Sequence, residues 1–576
     1  MCSLVRRLRK YDISGKYLNS TIIRNKRDFT NNRNIIKSSL PDVEIPHTPL
    51  HEFIFENFSR FPHKIAVECS LTGKKLTFEE LRLKSKNLNK ALRRKLKLQN
   101  KNVIAVLLPN IPEYSICILG ALEAGLIVTP LNPLYTPGEL KHLLVETEAN
   151  VVITLCSNYD NVREALRSLP QQIPVITIKM HQSETTPQGS INFQELIDTK
   201  YDIEDIPYNS VDDVILRLSS SGTTGLPKVA EHTHKSIVAN ICHINTSHLR
   251  FSEDTTENHQ DTIPAVIPWF HVYGLGVILL NNLRNTSKTV SLPRFSSDLY
   301  ISTLSKHKAH VLYVVPPILL LMANNPLVKR EHLKSVRVIC AGGSPLGPLD
   351  EEKLIQKAGT NVNVLQRYGL TEASVVLLSS PLRKLQFGLY GSVGEIVSNT
   401  SVKVVPSENH LGESFGPNQL GELLIKGPQL MKGYYKRPKE TTETFVEGWM
   451  RTGDLVYYDE NKMFYVTGRL KELIKVKGFQ VAPAELEEII RTYPNVSDAA
   501  VIGVPHEKFG EVPRAYVITK PNAKVDVARL EQYVSEKVIS YKKPIGGIVI
   551  VDSLPKTASG KIIRRELKLQ YAKEKL

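Results

Sequence analysis

Residues 219–228 read SSSGTTGLPK, and this stretch sits between an apolar run, VILRL at 214–218, and a helical pattern that begins near Lys235. Gly222 and Gly225 let the backbone turn so that successive N–H groups point into one concavity. The hydroxyls of Ser219, Ser220, Ser221, Thr223 and Thr224 add donors, and Lys228 adds a mobile positive charge. Such a loop suits a polyphosphate. It differs from the Walker pattern, because Gly225 is followed by Leu-Pro-Lys and the GK[ST] ending is missing. A flexible Ser/Gly linker is the alternative, but linkers do not usually place Leu-Pro-Lys between a strand and a helix.

Around this loop, from about Thr48, short apolar runs alternate with helical spacing. The runs are VIAVLL (103–108), VVITL (151–155), PVITI (174–178) and VLYVV (311–315); the segment 78–97 has helical spacing. That alternation predicts an α/β fold with parallel sheets flanked by helices. Residues 391–470 are punctuated by Gly412, Gly421, Gly433 and Gly448, which predicts an antiparallel, distorted β-barrel subdomain. After Arg469 the texture becomes a short mixed α+β unit rich in Lys and Glu. The expected organisation is a basic extension at 1–40, a large domain at 41–470 and a small, mobile C-terminal domain at 471–576.

With 576 residues and 41% hydrophobic content, the chain needs more than one core. Cys2, Cys69, Cys117, Cys156, Cys242 and Cys340 form no CxxC pair, which argues against a disulfide framework or a zinc ribbon. No apolar run is long enough for a membrane helix, though peripheral contact stays open. The net charge of +16 is concentrated at one end: residues 1–40 carry +8 and the remaining body the other +8. Nucleic-acid binding is therefore not required. In the opening segment Leu4, Leu8 and Tyr11 share a helical face opposite Arg6, Arg7, Arg9 and Lys10, as in a mitochondrial transit peptide; a solvated basic tail fits the same composition. The last residues, Glu574-Lys575-Leu576, share only two positions with the peroxisomal Ser-Lys-Leu signal, and a cytoplasmic location is the remaining alternative.

SSSGTTGLPK resembles the phosphate loop of the adenylate-forming superfamily of acyl-CoA synthetases, 4-coumarate:CoA ligases and firefly luciferase. Further segments follow in that family's order: PWFHVYGLG (268–276), AGGSPLG (341–347), QRYGLTE (366–372), GELLIKGPQLMKGY (421–434), WMRTGDL (449–455), GRLKELIKVKGFQVAPAELE (468–487) and PKTASGK (555–561). The resemblance covers about residues 48–570 and is strongest to the coumarate ligase and luciferase branch.

The resemblance implies that a carboxylic acid attacks the α-phosphate of ATP, giving an acyl-adenylate and pyrophosphate, and that coenzyme A then displaces AMP. It makes Lys561 the lysine that bridges carboxylate and α-phosphate, and Thr371 a donor to that phosphate. Glu372, with Thr224, would hold Mg²⁺. Asp454 would bind the ribose with Arg469 assisting, and Gly342, Gly343, Ser344, Gln366, Tyr368 and Gly369 would surround the rest of the nucleotide. His271 and Tyr273 fall at the acyl carboxylate and pocket, Lys471 at a hinge, and Lys475 and Gln480 at positions serving one or other of two domain states. Arg294, Lys477 and Gly478 are candidates for coenzyme A. Taken alone, His271 in an apolar run reads as a core residue, and His232 and His234 read as surface polarity rather than a metal pair.

Two departures stand out. Arg367 occupies the pocket-wall position where that branch has glycine; it either narrows the pocket, pairs with a second acidic group on the substrate, or turns out to solvent. Val229-Ala230-Glu231-His232 replaces the usual Gly-Val-Met-Leu after the loop, which leaves its packing on the next helix open. The expectation is an AMP-forming acid:CoA ligase for a medium or long fatty acid or an aryl-propenoic acid. A luciferase-like oxygenase and a nucleotide-binding pseudoenzyme are the alternatives.

Overall fold

The computed structural model describes residues 34–204, 210–220, 228–344, 346–359, 362–382, 389–407, 413–477, 479–557 and 560–574. Of the residues singled out above, Ser221, Gly222, Thr223, Thr224, Gly225, Gly412 and Gly478 lie outside them, as do residues 1–33 and the last two residues of the chain.

The apolar runs become buried strands. Val103–Leu107 is buried on both faces and lies between Ile127–Pro130 and Ala149–Leu155, all parallel. A strand covered on both sides needs no polar alternation, which is why the run reads as continuous. These strands belong to an eight-stranded sheet that continues through Val175–Ile178 on one side and Val214–Ser220 on the other. The helix Phe78–Arg94 packs Phe78, Leu81, Leu88 and Leu92 onto this core and opens with a capping box between Thr77 and Glu80. The box satisfies N–H groups that the first helical turn leaves unpaired.

A second sheet of five strands runs Val311–Val314, Val338–Gly342 and Asn363–Leu370 in parallel, then Val375–Ser379 and Glu395–Ile396 antiparallel. A four-stranded sheet contains Thr262–Ala265 and Lys288–Ser291. The glycine-punctuated stretch supplies five strands of a six-stranded antiparallel sheet over its own core, including Val404, Leu423, Met450 and Phe464. Its ladder does not close into a ring among the described residues. The sheet also recruits Ile36–Lys37, which pairs with Ser401 and Val402. Residues 34–40, which composition groups with the basic extension, are therefore part of the fold: Ile36 is buried and the Ser38 hydroxyl donates to the Ile396 carbonyl.

From Ile474 a separate unit begins, with five strands, the helices Pro483–Arg491, Val527–Ser535 and Arg564–Glu574, and cores built on residues such as Val501, Val517, Tyr516 and Leu567. It touches the large domain at the helix Pro348–Ala358, where the Glu488 carboxylate abuts Gly347 and Arg491 lies 3.6 Å from Asp350.

Candidate active site

The strands on either side of the opening loop, Val214–Ser220 and Lys228–Thr233, are antiparallel, with Ser220 opposite Lys228 and Ser219 opposite Val229. Ser220 and Lys228, the described residues on either side of the loop, are therefore neighbours at one end of the sheet. The Ser219 hydroxyl is buried without a partner among the described residues. The departure after the loop is absorbed: Val229 and Ala230 are buried and Glu231 pairs with Arg217 at 3.1 Å. His232 and His234 are buried, not surface polar residues. His232 Nδ1 lies 2.9 Å from the Ser374 hydroxyl, and His234 Nδ1 accepts the Leu50 N–H at 2.9 Å. Burial holds His232 down to about 3 and His234 to about 4.

Lys228 next meets Tyr434, with its ammonium 4.9 Å from the ring centroid. The strand Gly433–Tyr434 pairs with Ala230 and Glu231, which fixes that ring beside the loop. The Tyr434 hydroxyl donates to Glu372 Oε1 at 2.8 Å. Glu372 sits on the short helical turn Thr371–Ala373, partly exposed, and its second oxygen has no hydrogen bond to a described residue. A half-solvated carboxylate with one free oxygen fits Mg²⁺, which takes oxygen ligands and retains waters.

Asp454 and Arg469 come from two motifs but are register partners on adjacent antiparallel strands, Trp449–Tyr458 and Phe464–Arg469. Arg469 Nε lies 3.2 Å from Asp454 Oδ1, and the Tyr368 hydroxyl donates to Oδ2 at 2.7 Å. Burial pushes the Asp454 carboxyl up, opposed by Arg469 and by the Tyr368 bond. A carboxylate has about four acceptor positions, so two remain for sugar hydroxyls.

Lys561 reaches this centre from the small domain. Burial lowers its pKa, and Arg469 lowers it further, while Asp454, Glu372 and Glu472 act in the opposite direction. Its loop is fastened by the Thr557 hydroxyl, which accepts the Lys561 N–H at 3.1 Å, and by Gly560. At φ +80 Gly560 takes a conformation side chains disfavour, and an added Cβ would stand 3.1 Å from Pro317 and 3.6 Å from Val315 of the large domain. Arg564 ties the same segment to Glu472 at 3.1 Å and Glu487 at 2.6 Å.

His271 is held to about 3, first by burial and then by the Lys561 charge. Its Nδ1 accepts the Tyr273 N–H at 3.3 Å, so the neutral ring carries its proton on Nε2 and presents a donor. The segment after it, Tyr273–Leu280, is a π-helix, a rare wide turn found mostly at functional sites. Gly274 is obligatory there, because a Cβ would run into the Pro268 carbonyl. Tyr273 donates to the Cys340 carbonyl at 3.2 Å and lays its ring on Gly342.

Not every candidate converges. Gln366 is buried and binds the Leu346 carbonyl at 3.2 Å, a support for the chain beside Ser344. Gly343 has φ +87 and is exposed with Ser344 half-buried, while Gly369 pairs with Val376 beside a bulge. Lys475 and Gln480 are paired on the hairpin Ile474–Val481, both exposed; this arrangement offers them to solvent and not to the Lys561 centre. Lys471 is exposed on the turn Leu470–Glu472. Lys477 lies 4.1 Å from the Phe509 ring centroid, and Arg294 is exposed beside the exposed Phe295. Arg367 is 5% exposed, which removes the solvent-facing reading. Tyr434 and Glu472 were not singled out by sequence; the Gly-Tyr ending of LMKGY was the available signal for the first.

These phosphate-loop, carboxylate and lysine positions define a nucleotide-activating enzyme of two domains. The chain belongs to the AMP-binding enzyme family: the family model matches residues 54–435, and the AMP-binding enzyme C-terminal domain matches 485–561. It is 36% identical over 543 residues to 4-coumarate:CoA ligase 1 of Petunia hybrida, covering 93% of this chain and 97% of that protein. Its structure is similar to that of ATP-bound MatB from Rhodopseudomonas palustris (TM-score 0.81, 27% identity, 91% of this chain and 99% of that one). A benzoate CoA ligase from Burkholderia xenovorans matches with TM-score 0.79 at 25% identity, over 90% of this chain and all of that one (100%). The protein is an ATP-dependent, AMP-forming acid:CoA ligase.

Proposed function

We propose that the acid is an aryl-propenoic or fatty acid, activated at the centre where Lys561, Glu372, Asp454, Arg469 and His271 meet. That convergence of residues from both domains is the observation that carries the reading. The aromatic residues Tyr273, Tyr313 and Phe251 beyond His271 favour the aryl member of the pair, as does likeness to proteins named 4-coumarate:CoA ligase.

In this reading the nucleotide phosphates lie at residues 219–228, the ribose hydroxyls donate to the two free acceptor positions of Asp454, and adenine lies between Gly342–Ser344 and the Tyr368 ring. The acid's oxygen attacks the α-phosphorus as the bond to pyrophosphate breaks. Charge builds on oxygens that Lys561 and Thr371 face, so a buried ammonium stabilises the transition state more than it would in water. Glu372 and Thr224 would hold Mg²⁺, which supplies neutralising charge at the phosphates. Neutral His271 directs its Nε2–H at the acid without adding a second cation beside Lys561.

For the thiol step the small domain turns at Lys471, withdrawing Lys561 and bringing Lys475 or Gln480 inward, while Arg294, Lys477 and Gly478 meet coenzyme A. The basic opening segment directs the chain to mitochondria; a fluorescent fusion with and without residues 1–33 tests this. The main test is acid-dependent pyrophosphate release across fatty and aryl acids, with and without coenzyme A. Release without thioester formation would refute the second half-reaction.

A further inference from the structure

We infer that the acid carries a second carboxylate and that the Arg367 guanidinium is its partner. This rests on the ligase reading above and, within the aryl and fatty acids proposed there, singles out members that carry a second carboxylate.

Arg367 lies on the strand Asn363–Leu370, with Gly342 opposite it on one neighbour and Ser379 on the other. Alternation sends the flanking Tyr368 to the nucleotide side, where it binds Asp454, and Arg367 to the opposite face. That face is covered by the segment carrying His271: the Tyr273 ring lies on Gly342, and its hydroxyl binds the Cys340 carbonyl. The Arg367 side chain is thus on the face of the sheet that Tyr273 covers.

Its environment holds it in place without neutralising it. Nε donates to the Ser379 hydroxyl at 3.1 Å, Nη2 donates to the Leu249 carbonyl at 2.6 Å, and the group lies 3.9 Å from the Phe251 ring centroid. Phe251 stacks on Tyr313, which in turn meets Tyr273 edge-on. Burial pushes the Tyr313 hydroxyl up to about 12, and the neighbouring Arg367 opposes this. Nη1 is buried and has no hydrogen-bond partner among the described residues. A guanidinium cannot shed its charge, so a buried one with an unsatisfied edge is costly unless an anion completes it. The two bonds to neutral oxygens fix the plane of the fork and leave Nη1 as the edge offered to a carboxylate. The acid's reacting carboxylate belongs to Lys561 and His271, so the anion that Arg367 takes is a second one.

The test compares aliphatic and aromatic diacids with their monomethyl esters, which keep length and shape but lose one charge, by initial rates of pyrophosphate release. The expected wild-type preference in kcat/KM is about 10- to 100-fold for the matching diacid, the range of a hydrogen bond to a charged group. Arg367→Gln and Arg367→Gly should remove that preference by slowing the diacid while sparing the ester, and Arg367→Lys should keep part of it. Wild-type enzyme alone decides if a variant does not fold. Equal use of ester and diacid, or preference for the ester, overturns the inference and leaves the ligase reading intact. Variants that slow every acid by the same factor also overturn it. No pyrophosphate with any acid, mono or di, refutes both.

Discussion

Tyr434→Phe isolates one bond at the centre. The hydroxyl that donates to Glu372 Oε1 at 2.8 Å is removed, while the ring that receives the Lys228 ammonium at 4.9 Å stays. The backbone pairing of Gly433–Tyr434 with Ala230 and Glu231 is untouched, so the strand should hold. A hydrogen bond to a charged group contributes about 1.5–3 kcal/mol, and because Glu372 is partly exposed the lower end applies. About 1.5 kcal/mol corresponds to roughly tenfold in an equilibrium constant. What is lost is the orientation of the carboxylate that would hold Mg²⁺, so the half-saturating Mg²⁺ concentration for pyrophosphate release should rise roughly tenfold. At saturating Mg²⁺ the rate should return close to that of the parent enzyme. Titrating Mg²⁺ at fixed ATP and acid gives the answer directly. Superimposable curves for the two proteins would show that Glu372 is not oriented for the metal, and a drop that no Mg²⁺ concentration restores would place Tyr434 in the chemistry itself.

Lys561→Ala should slow acyl-adenylate formation by about 10²–10³-fold, the cost of removing one donor aimed at developing charge, yet leave thioester formation from supplied acyl-adenylate nearly unchanged; equal loss of both half-reactions would contradict its role. Arg491→Ala removes the partner 3.6 Å from buried Asp350 at the domain contact, so adenylation should fall about 5- to 30-fold, with thioester formation from supplied adenylate unchanged or faster. Stability should fall as pH drops below about 6.5, because burial holds His51, His232 and His271 to about 3 and His234 and His243 to about 4, while the unfolded chain takes up protons at 6.5. Each such group contributes up to about 1.4 kcal/mol per pH unit, lost as pH falls from 6.5 toward the folded value. Urea midpoints that stay flat from pH 7 to pH 5 would contradict it.

The parts of this fold that were legible in the sequence are those with a local signal. Continuous apolar runs such as 151–155 read as strands because both faces are covered, and Phe78–Arg94 reads as a helix because its cap and its periodic leucines agree. Ile36–Lys37 had no such signal: a two-residue strand has no period, and its partners stand near residue 400. His232, next to Glu231 in a short strand, is buried against Ser374 far along the chain. For Arg367 the alternation was readable, but which face of the sheet a second segment covers is a tertiary fact. Tyr434 lay within a recognised motif, yet only the pairing of Gly433–Tyr434 with Ala230 and Glu231 puts its hydroxyl against Glu372.

Among the described residues, Lys561 is the one member of the proposed adenylation centre that comes from the small domain, and its charge there is disfavoured by burial and by Arg469. The nearby carboxylates offset this only in part. A triphosphate and a carboxylate brought to the same place add the missing negative charge, so the docked arrangement is favoured most when both substrates are bound. Once the adenylate has formed and pyrophosphate has left, most of that charge is gone while the cost of burying the ammonium remains. The contacts left to hold the domain are modest: the packing of Gly560 on Pro317 and Val315, the Arg491–Asp350 pair, and Glu488 at Gly347. With the proposed hinge at Lys471, loss of pyrophosphate would release the domain, and the exposed Lys475–Gln480 hairpin would be the face free to enter. On this proposal the first half-reaction would remove the charge that holds Lys561 in place, which would order the two steps without a separate signal.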